Sequence, residues 1–309
     1  MKILLTLLPT LAELYGLVFL CMGIGYGSSR FLPPKTGAWL AQGLFWVGTP
    51  LTALSFILTT KIAGHSTFAP LLAWLGMGIG GGLAWLWLQQ YPAHTRQEQG
   101  SFLLATMVGN TGFIGFPMTW RLLGPHHFSW ALFFDLMGTL LISYSAGIGV
   151  AASFGDRAIS IPKLLWHIGR NPTLWCVGVG LLLRQHRLPA IAQQGLLTLA
   201  WFMVIAGLIY MGICLGEAPL KLQWQRIIPC LSIKMLLVPL LLGIGLTLMG
   251  VTGPPRLGIV LQAGMPPAFM TLVLADVYHL DRAFAASLIL TSLFVLILLL
   301  PLWLVLFAG

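Results

Sequence analysis

Two glycine- and proline-rich interruptions of apolar sequence hold the side chains best suited to bind a ligand. The first reads Met107-Val-Gly-Asn-Thr-Gly-Phe-Ile-Gly-Phe-Pro117, and the second, about half the chain later, Leu261-Gln-Ala-Gly-Met-Pro-Pro-Ala-Phe269. In the first, the amide of Asn110 and the hydroxyl of Thr111 lie between Gly109 and Gly112, where nothing covers the backbone. A half-helix that starts there carries partial positive charge at its amino end. Amide, hydroxyl and unpaired backbone N–H groups together make a cradle for an anion or a polar ligand. Asn110 is equally suited to capping that half-helix, and the two roles are compatible. In the second, Gln262 precedes Gly264, Met265, Pro266 and Pro267. Two prolines in a row leave the carbonyls of residues 262 to 264 without their usual helical donors, open to a cation or a water. Gln262 is also placed to bond a neighbouring helix.

Four ionisable residues interrupt apolar stretches: Glu13, Asp135, Lys234 and Asp276. Charge inside a membrane is costly, and such residues are read first as functional groups with partners. Asp135 is the best candidate for a proton relay, with a structural salt bridge as the alternative. Lys234 is placed to pair with Asp135, to neutralise a substrate carboxylate, or to reach the membrane surface. Asp276, close to Tyr278 and Asp281, suits an interfacial helix end but is kept among the relay candidates. Phe113, Phe116, Met265 and Phe269 can line an apolar wall beside the breaks or simply pack helices.

These residues must be positioned by membrane helices. Of the 309 residues 58% are hydrophobic and only 7% charged, too few to cover a water-soluble domain of this size with polar surface. A hydrocarbon core needs about 20 apolar residues per helical crossing. Ten such stretches can be laid down: 4–28, 38–60, 67–90, 101–123, 129–154, 172–188, 190–215, 227–250, 256–278 and 283–307. The sixth is the shortest, bracketed by Asn171-Pro172 and Arg184. The opening apolar run is read as a span rather than a cleaved signal, because Pro9 and Glu13 interrupt it. The expectation is an all-α polytopic protein with a first five-helix repeat at 1–154, a short cytoplasmic linker at 155–171 and a second repeat at 172–309. Five spans per half reverse the orientation of the second half, so the repeats are inverted, with the breaks in the fourth span of each.

Side-dependent charge fits this layout with both termini on the non-cytoplasmic side of the plasma (inner) membrane. The inner loops then hold Arg30, Lys35, Arg96, Arg157, Lys163, Arg170, Lys221, Arg226 and Arg282, against Lys2, Lys61, Arg121, Arg184, Arg187 and Arg256 outside. An excess of inner cations is the usual bias. The formal charge of +9 is explained by loop cations facing anionic headgroups, and calls for no nucleic-acid partner.

Other motifs carry less. Gly76-Met-Gly78-Ile-Gly80-Gly-Gly82 matches a dinucleotide fingerprint in form, but no strand precedes it and no acidic residue follows at the required distance, so it reads as close helix packing. Cys21, Cys176, Cys214 and Cys230 lie in apolar runs without metal-ligand spacing, and His126-His127 has no carboxylate at helical spacing. No metal or cofactor is expected. The tryptophans suit interfacial belts or core packing.

At these motifs the chain resembles the auxin efflux carrier family, which includes bacterial malonate or malate carriers and the plant PIN auxin exporters and is related to the bile-acid/sodium symporters. Gly109-Asn-Thr-Gly-Phe-Ile-Gly-Phe-Pro117 is similar to that family's fourth-span signature. Met265-Pro266 with Val273-Leu-Ala-Asp-Val-Tyr278 is similar to its ninth span, Thr49-Pro50-Leu-Thr-Ala-Leu-Ser55-Phe to its second, and Arg170-Asn-Pro172 to the start of its sixth. The resemblance implies broken fourth and ninth spans crossing at their prolines. It also implies a scaffold of spans 1, 2, 6 and 7, often dimeric, and a moving transport domain of spans 3 to 5 and 8 to 10. Asn110 and Pro117 would belong to the first crossing element, Pro266 to the second, and Pro50 and Ser55 to the scaffold wall facing the substrate. Asp276 stands where many relatives have Glu, and neutral Gln262 stands where the bile-acid carriers place an acidic sodium ligand.

The expected function is transport of a small organic anion, such as malate, malonate or an auxin-like acid, by an elevator-type alternating-access movement. It would be driven by the membrane potential or coupled to protons. A sodium- or proton-coupled symporter of a bile-acid-like or other organic anion is the alternative. A passive channel is more distant. So is an intramembrane enzyme, since the chain lacks a paired-His motif, a serine elbow and a phosphate loop. The partners expected are the anion, the bilayer and a second copy of the chain.

Overall fold

A computed structural model describes residues 2–33, 36–91, 95–157, 159–185 and 188–308. Lys35 and Arg187 of the charge comparison, and Ala158 of the central linker, lie outside them. The described residues are helical apart from turns and one isolated pairing of two extended residues. In chain order the α-helices are α1 (Lys2–Ser28), α2 (Thr36–Gly43), α3 (Thr49–Thr59), α4 (Ala69–Gln90), α5 (Arg96–Met107), α6 (Phe116–Leu123), α7 (Phe128–Phe133), α8 (Leu140–Ile142) and α9 (Ile148–Phe154). There follow α10 (Ile161–Gly169), α11 (Pro172–Leu183), α12 (Ala190–Glu217), α13 (Trp224–Leu231), α14 (Val238–Leu248), α15 (Gly253–Ala263), α16 (Phe269–Val277) and α17 (Arg282–Phe307).

Several of these are pieces of longer helices joined through wide π turns. Among the described residues, seven helical stretches are long and apolar enough to cross a membrane: Leu8–Ser28, Trp39–Thr59, Ser66–Gln90, Phe128–Phe154, Ala190–Glu217, Trp224–Leu248 and Arg282–Phe307. The protein is therefore a polytopic membrane protein. Three further apolar regions do not form uninterrupted spans. Helix α11 ends at Leu183, short of the expected 188, and its 12 residues reach about 18 Å against a hydrocarbon core of about 30 Å. The other two are the interrupted segments, α5 with α6 and α15 with α16.

Three of the five π turns among the described residues are tied to a proline. The π turns Leu44–Gly48, Thr111–Gly115 and Ser232–Leu237 each end two residues before a proline, Pro50, Pro117 and Pro239. The pyrrolidine ring clashes with the carbonyl four residues back and offers no N–H to it. An added residue in the preceding turn relieves that clash, and each proline then sits at the start of the next α-segment, where a missing amide costs nothing. Two further π turns, Phe134–Thr139 and Ser143–Gly147, have no such proline.

Two packing groups surround the interruptions. In one, α1 lies along α12, and α3 packs on both α11 and α12. The first contact is close because Gly25 faces the backbone of Ile209 and Gly212 faces the backbone of Met22. In the other, α4 packs on α5 and the π turn 134–139, α14 packs on α15, and α17 packs on α15, α16 and α5. Arg226 on α13 ties this second group together from within. It is buried, donates to Glu98 at 2.9 Å and to Asp281 at 3.2 Å, bonds Gln223, and lies 4.2 Å from the centre of the Phe284 ring. The amino ends of α5 and α17 are thereby held to α13.

Candidate functional site

The two interruptions meet. Residues Val108 to Asn110 leave α5 in extended geometry, and residues Gly264 to Ala268 separate α15 from α16. The backbone N–H of Asn110 donates to the carbonyl of Pro266 at 2.7 Å, and the N–H of Ala268 donates to the carbonyl of Val108 at 2.9 Å. Gly109 and Pro267 thus form a one-residue antiparallel bridge. Each broken helix satisfies backbone groups of the other, which helices interrupted inside a bilayer require. Pro266 and Pro267 lie at this meeting. Pro117 does not: it is in the first turn of α6, beyond the π turn, and the break it was expected to mark opens upstream at Val108.

Asn110 caps the half-helix that follows. Its Oδ1 accepts the N–H of Phe113 at 3.2 Å, and its Nδ2 points to the sulfur of Met211 on α12 at 3.1 Å. The side chain is buried yet lines a cavity of about 480 Å³. The hydroxyl of Thr111 donates to Asp135 Oδ1, and Gly112 presents bare backbone to the same carboxylate, so that a Cβ there would come within 3.4 Å of Oδ2. On the other side of the break stands Lys234, buried in the π turn 232–237. A Cβ on Gly109 would come within 3.0 Å of its Nζ. Lys234 forms no ion pair with Asp135: the carboxylate bonds Thr111 and faces Gly112, whereas the ammonium lies against Gly109. A void of about 10 Å³ bordered by Lys234, Gly109, Thr111 and Thr139 adjoins this backbone, about the room one water needs.

The cavity brings together Asn110, Thr111, Gly112 and Asp135 from the sequence-derived candidates, with Phe113, Phe116 and Phe269 on its wall. The remaining candidates lie elsewhere. Gln262 is fully buried, donates to Thr119 Oγ1 at 3.0 Å and bonds helix to helix rather than facing the cavity. Gly264 and Met265 pack behind the meeting point, where Gly264 faces the indole N–H of Trp303, and Pro266 takes part in the meeting through its carbonyl without lining the cavity. Pro50 and Ser55 are buried in α3 away from the lining, which takes Thr49 and Thr52 from the same helix. Asp276 is paired with Arg282 at 3.4 Å, and Glu13 with Arg121 at 2.7 Å, both in exposed positions. Thr139, Ser143, Tyr144, His167 and Tyr210 also reach the cavity and were not singled out from sequence. For the α7–α9 stretch the available signal would have been its run of polar residues, Asp135, Thr139, Ser143, Tyr144 and Ser145, inside an otherwise apolar span.

An all-helical membrane protein whose interrupted helices meet beside a large, mostly aromatic- and aliphatic-walled cavity with a few convergent polar groups has the form of a solute transporter. Comparison with known proteins agrees. Residues 14–153 and 156–304 match the membrane transport protein family, so the chain belongs to that family, the one that contains the auxin efflux carriers. It is 27% identical over 260 residues to an uncharacterized transporter of Methanothermobacter thermautotrophicus, covering 83% of this chain and 84% of that one. It is also 27% identical over 214 residues to an uncharacterized transporter of Methanocaldococcus jannaschii, covering 67% and 68%.

Proposed function

We propose that the protein carries a small organic anion with an apolar body across the plasma (inner) membrane, binding its carboxylate at the first break. The observation that carries this reading is the backbone exchange between Asn110 and Pro266 and between Val108 and Ala268 at the edge of the 480 Å³ cavity. The exchange leaves the amino end of the half-helix at Thr111 facing the cavity, where the N–H groups of Thr111 and Gly112 lack intrahelical acceptors while that of Phe113 is capped by Asn110. Those groups, the dipole behind them and the Lys234 ammonium beyond Gly109 favour negative charge. The aromatic wall favours a substrate with substantial apolar surface, and a monocarboxylate of the auxin-like kind fits it better than malate or malonate.

Asp135 faces the same cavity, and an ionised carboxylate there repels an anion. Proton uptake by Asp135 with each substrate removes that repulsion, which favours proton coupling over a purely potential-driven movement. Outward movement of one unprotonated negative charge would gain about 2.3 kcal/mol per 100 mV of inside-negative potential. With Gln262 bonded to Thr119 and no carboxylate beside it, a sodium site at the second break is the weaker reading.

In this reading the interrupted segments and α11 complete ten crossings arranged as two inverted five-helix repeats. The group of α1, α3, α11 and α12 is the scaffold, dimeric through its lipid-facing side, and the group tied by Arg226 is the part that moves. The two touch at the site, through Asn110 with Met211 and Phe113 with Gly207. Methionine and glycine there supply a soft, flat track for an elevator-type shift.

Counterflow of labelled indole-3-acetate, malate and malonate in proteoliposomes tests the reading, with wild type compared to Asn110→Ala and sodium present or absent. Saturable counterflow of the aromatic acid, indifferent to sodium and lost in the variant, is expected. Absence of counterflow for all three with folded protein would remove the substrate class.

A further inference from the structure

The central linker contains a helix most of whose surface the transport cavity does not account for. Helix α10, Ile161–Gly169, is nine residues long and extends about 14 Å, too short to cross a bilayer. Leu164 packs on the protein core, and the helix rests on the π turn Ser143–Gly147. The rest of its surface is divided by chemistry. Lys163, His167 and Arg170, spaced by four and three, form one polar stripe. Ile161 and Leu165, spaced by four, form an apolar edge that stays 74% and 61% exposed, and Trp166 is 61% exposed beside them. Bulky apolar side chains open to water on a nine-residue helix are unfavourable, whereas a helix of this pattern lying flat at a membrane surface buries them among acyl chains.

The neighbouring contacts suit such a surface. The indole N–H of Trp175, on α11, donates to the carbonyl of Gly169 at 2.7 Å, and the Arg170 guanidinium lies 5.4 Å from the centre of the Trp166 ring. Tryptophans with one apolar and one hydrogen-bonding side concentrate at membrane–water boundaries. His167 from the same helix lines the cavity, so the position of α10 bears on the rim of the transport site.

We propose that α10 is an in-plane surface helix whose Lys163 and Arg170 hold the phosphates of anionic phospholipids, with Ile161, Leu165 and Trp166 in the acyl region. The lipid contact thereby fixes His167 at the cavity rim. The charge of the stripe, the apolar edge below it and the attachment to a membrane helix select lipid as the occupant over a soluble protein. The inference does not depend on which solute the cavity takes.

The full-length protein is reconstituted in phosphatidylcholine vesicles with and without phosphatidylglycerol, with Cys21, Cys176, Cys214 and Cys230 replaced by alanine and a single spin label at Leu165→Cys or Lys163→Cys. The label at 165 is expected to be reached by oxygen and shielded from a water-soluble nickel chelate, and the label at 163 the reverse. In the unlabelled protein, preference for phosphatidylglycerol over phosphatidylcholine, read as retained lipid by mass spectrometry, is expected to fall about five-fold for each of Lys163→Ala and Arg170→Ala. Lys163→Arg should keep it. Nickel access at 165, or dipolar broadening between labels of two copies, would assign the edge to water, a soluble partner or a second chain and overturn the proposal. So would an unchanged lipid preference in both alanine variants.

Discussion

Lys234→Met separates the electrostatic role of the ammonium from its packing, because methionine fills nearly the same space without charge. Lys234 is 4% exposed and makes no hydrogen bond or ion pair among the described residues. A buried ammonium carries a desolvation cost, and replacing even paired buried ionic groups with apolar ones of similar volume is neutral or stabilises by about 1–4 kcal/mol. At about 2 °C per kcal/mol for a chain of this size, the apparent melting temperature in detergent should rise by roughly 2–8 °C. Transport should move the other way. Attraction between unit charges is about 4 kcal/mol at 4 Å with an effective dielectric constant of 20, and still about 1.4 kcal/mol at 12 Å. An anion at Asn110 would lose at least roughly ten-fold in affinity. The assay pairs thermal unfolding with counterflow saturation on one preparation. Unchanged half-saturation in a more stable variant would refute the counter-charge role, and a lower melting temperature would show that the ammonium is satisfied in place.

Three further perturbations probe the parts that hold or move the site. Gly207→Leu drives a side chain into the Phe113 ring, and should reduce the maximal rate of counterflow several-fold while shifting the melting temperature little; equal losses of both would make the contact structural rather than a track. Gly212→Leu places its side chain against the backbone of Met22, which cannot rotate away, and should destabilise by about 1–3 kcal/mol or more, read as a lower melting temperature and yield. Arg226→Met removes the cation shared by Glu98 and Asp281, leaving each carboxylate its backbone N–H, from Thr95 and Phe284; loss of one partner of a buried ion pair costs about 3–5 kcal/mol, so a fully stable Arg226→Met protein in an unfolding scan would show that the cluster does not clamp α5, α13 and α17.

The membrane class and both interruptions were legible in the sequence because each rests on short-range chemistry: runs of apolar residues, and glycine clustered with proline inside two of them. Asn110 was legible as a cap on the same ground, since its Oδ1 reaches an amide only three residues away. The family resemblance, carried by contiguous motifs, anticipated the family that the comparison assigns.

What sequence alone left open was which faces meet. Pro50, Ser55 and Gln262 carry suitable groups on interrupted or proline-bearing segments, yet tertiary packing turns them away from the cavity and turns Thr49, Thr52, Thr139 and Tyr210 toward it. Helices apolar on nearly every side give no period from which an inner face can be read. Partners far apart in the chain, Thr111 with Asp135, Lys234 beside Gly109 and Asn110 against Met211, arise from contacts between helices. Local sequence thus determined where the backbone must break; only the packing of α12, α14 and α15 around those breaks decided that they meet, and which charges stand on either side.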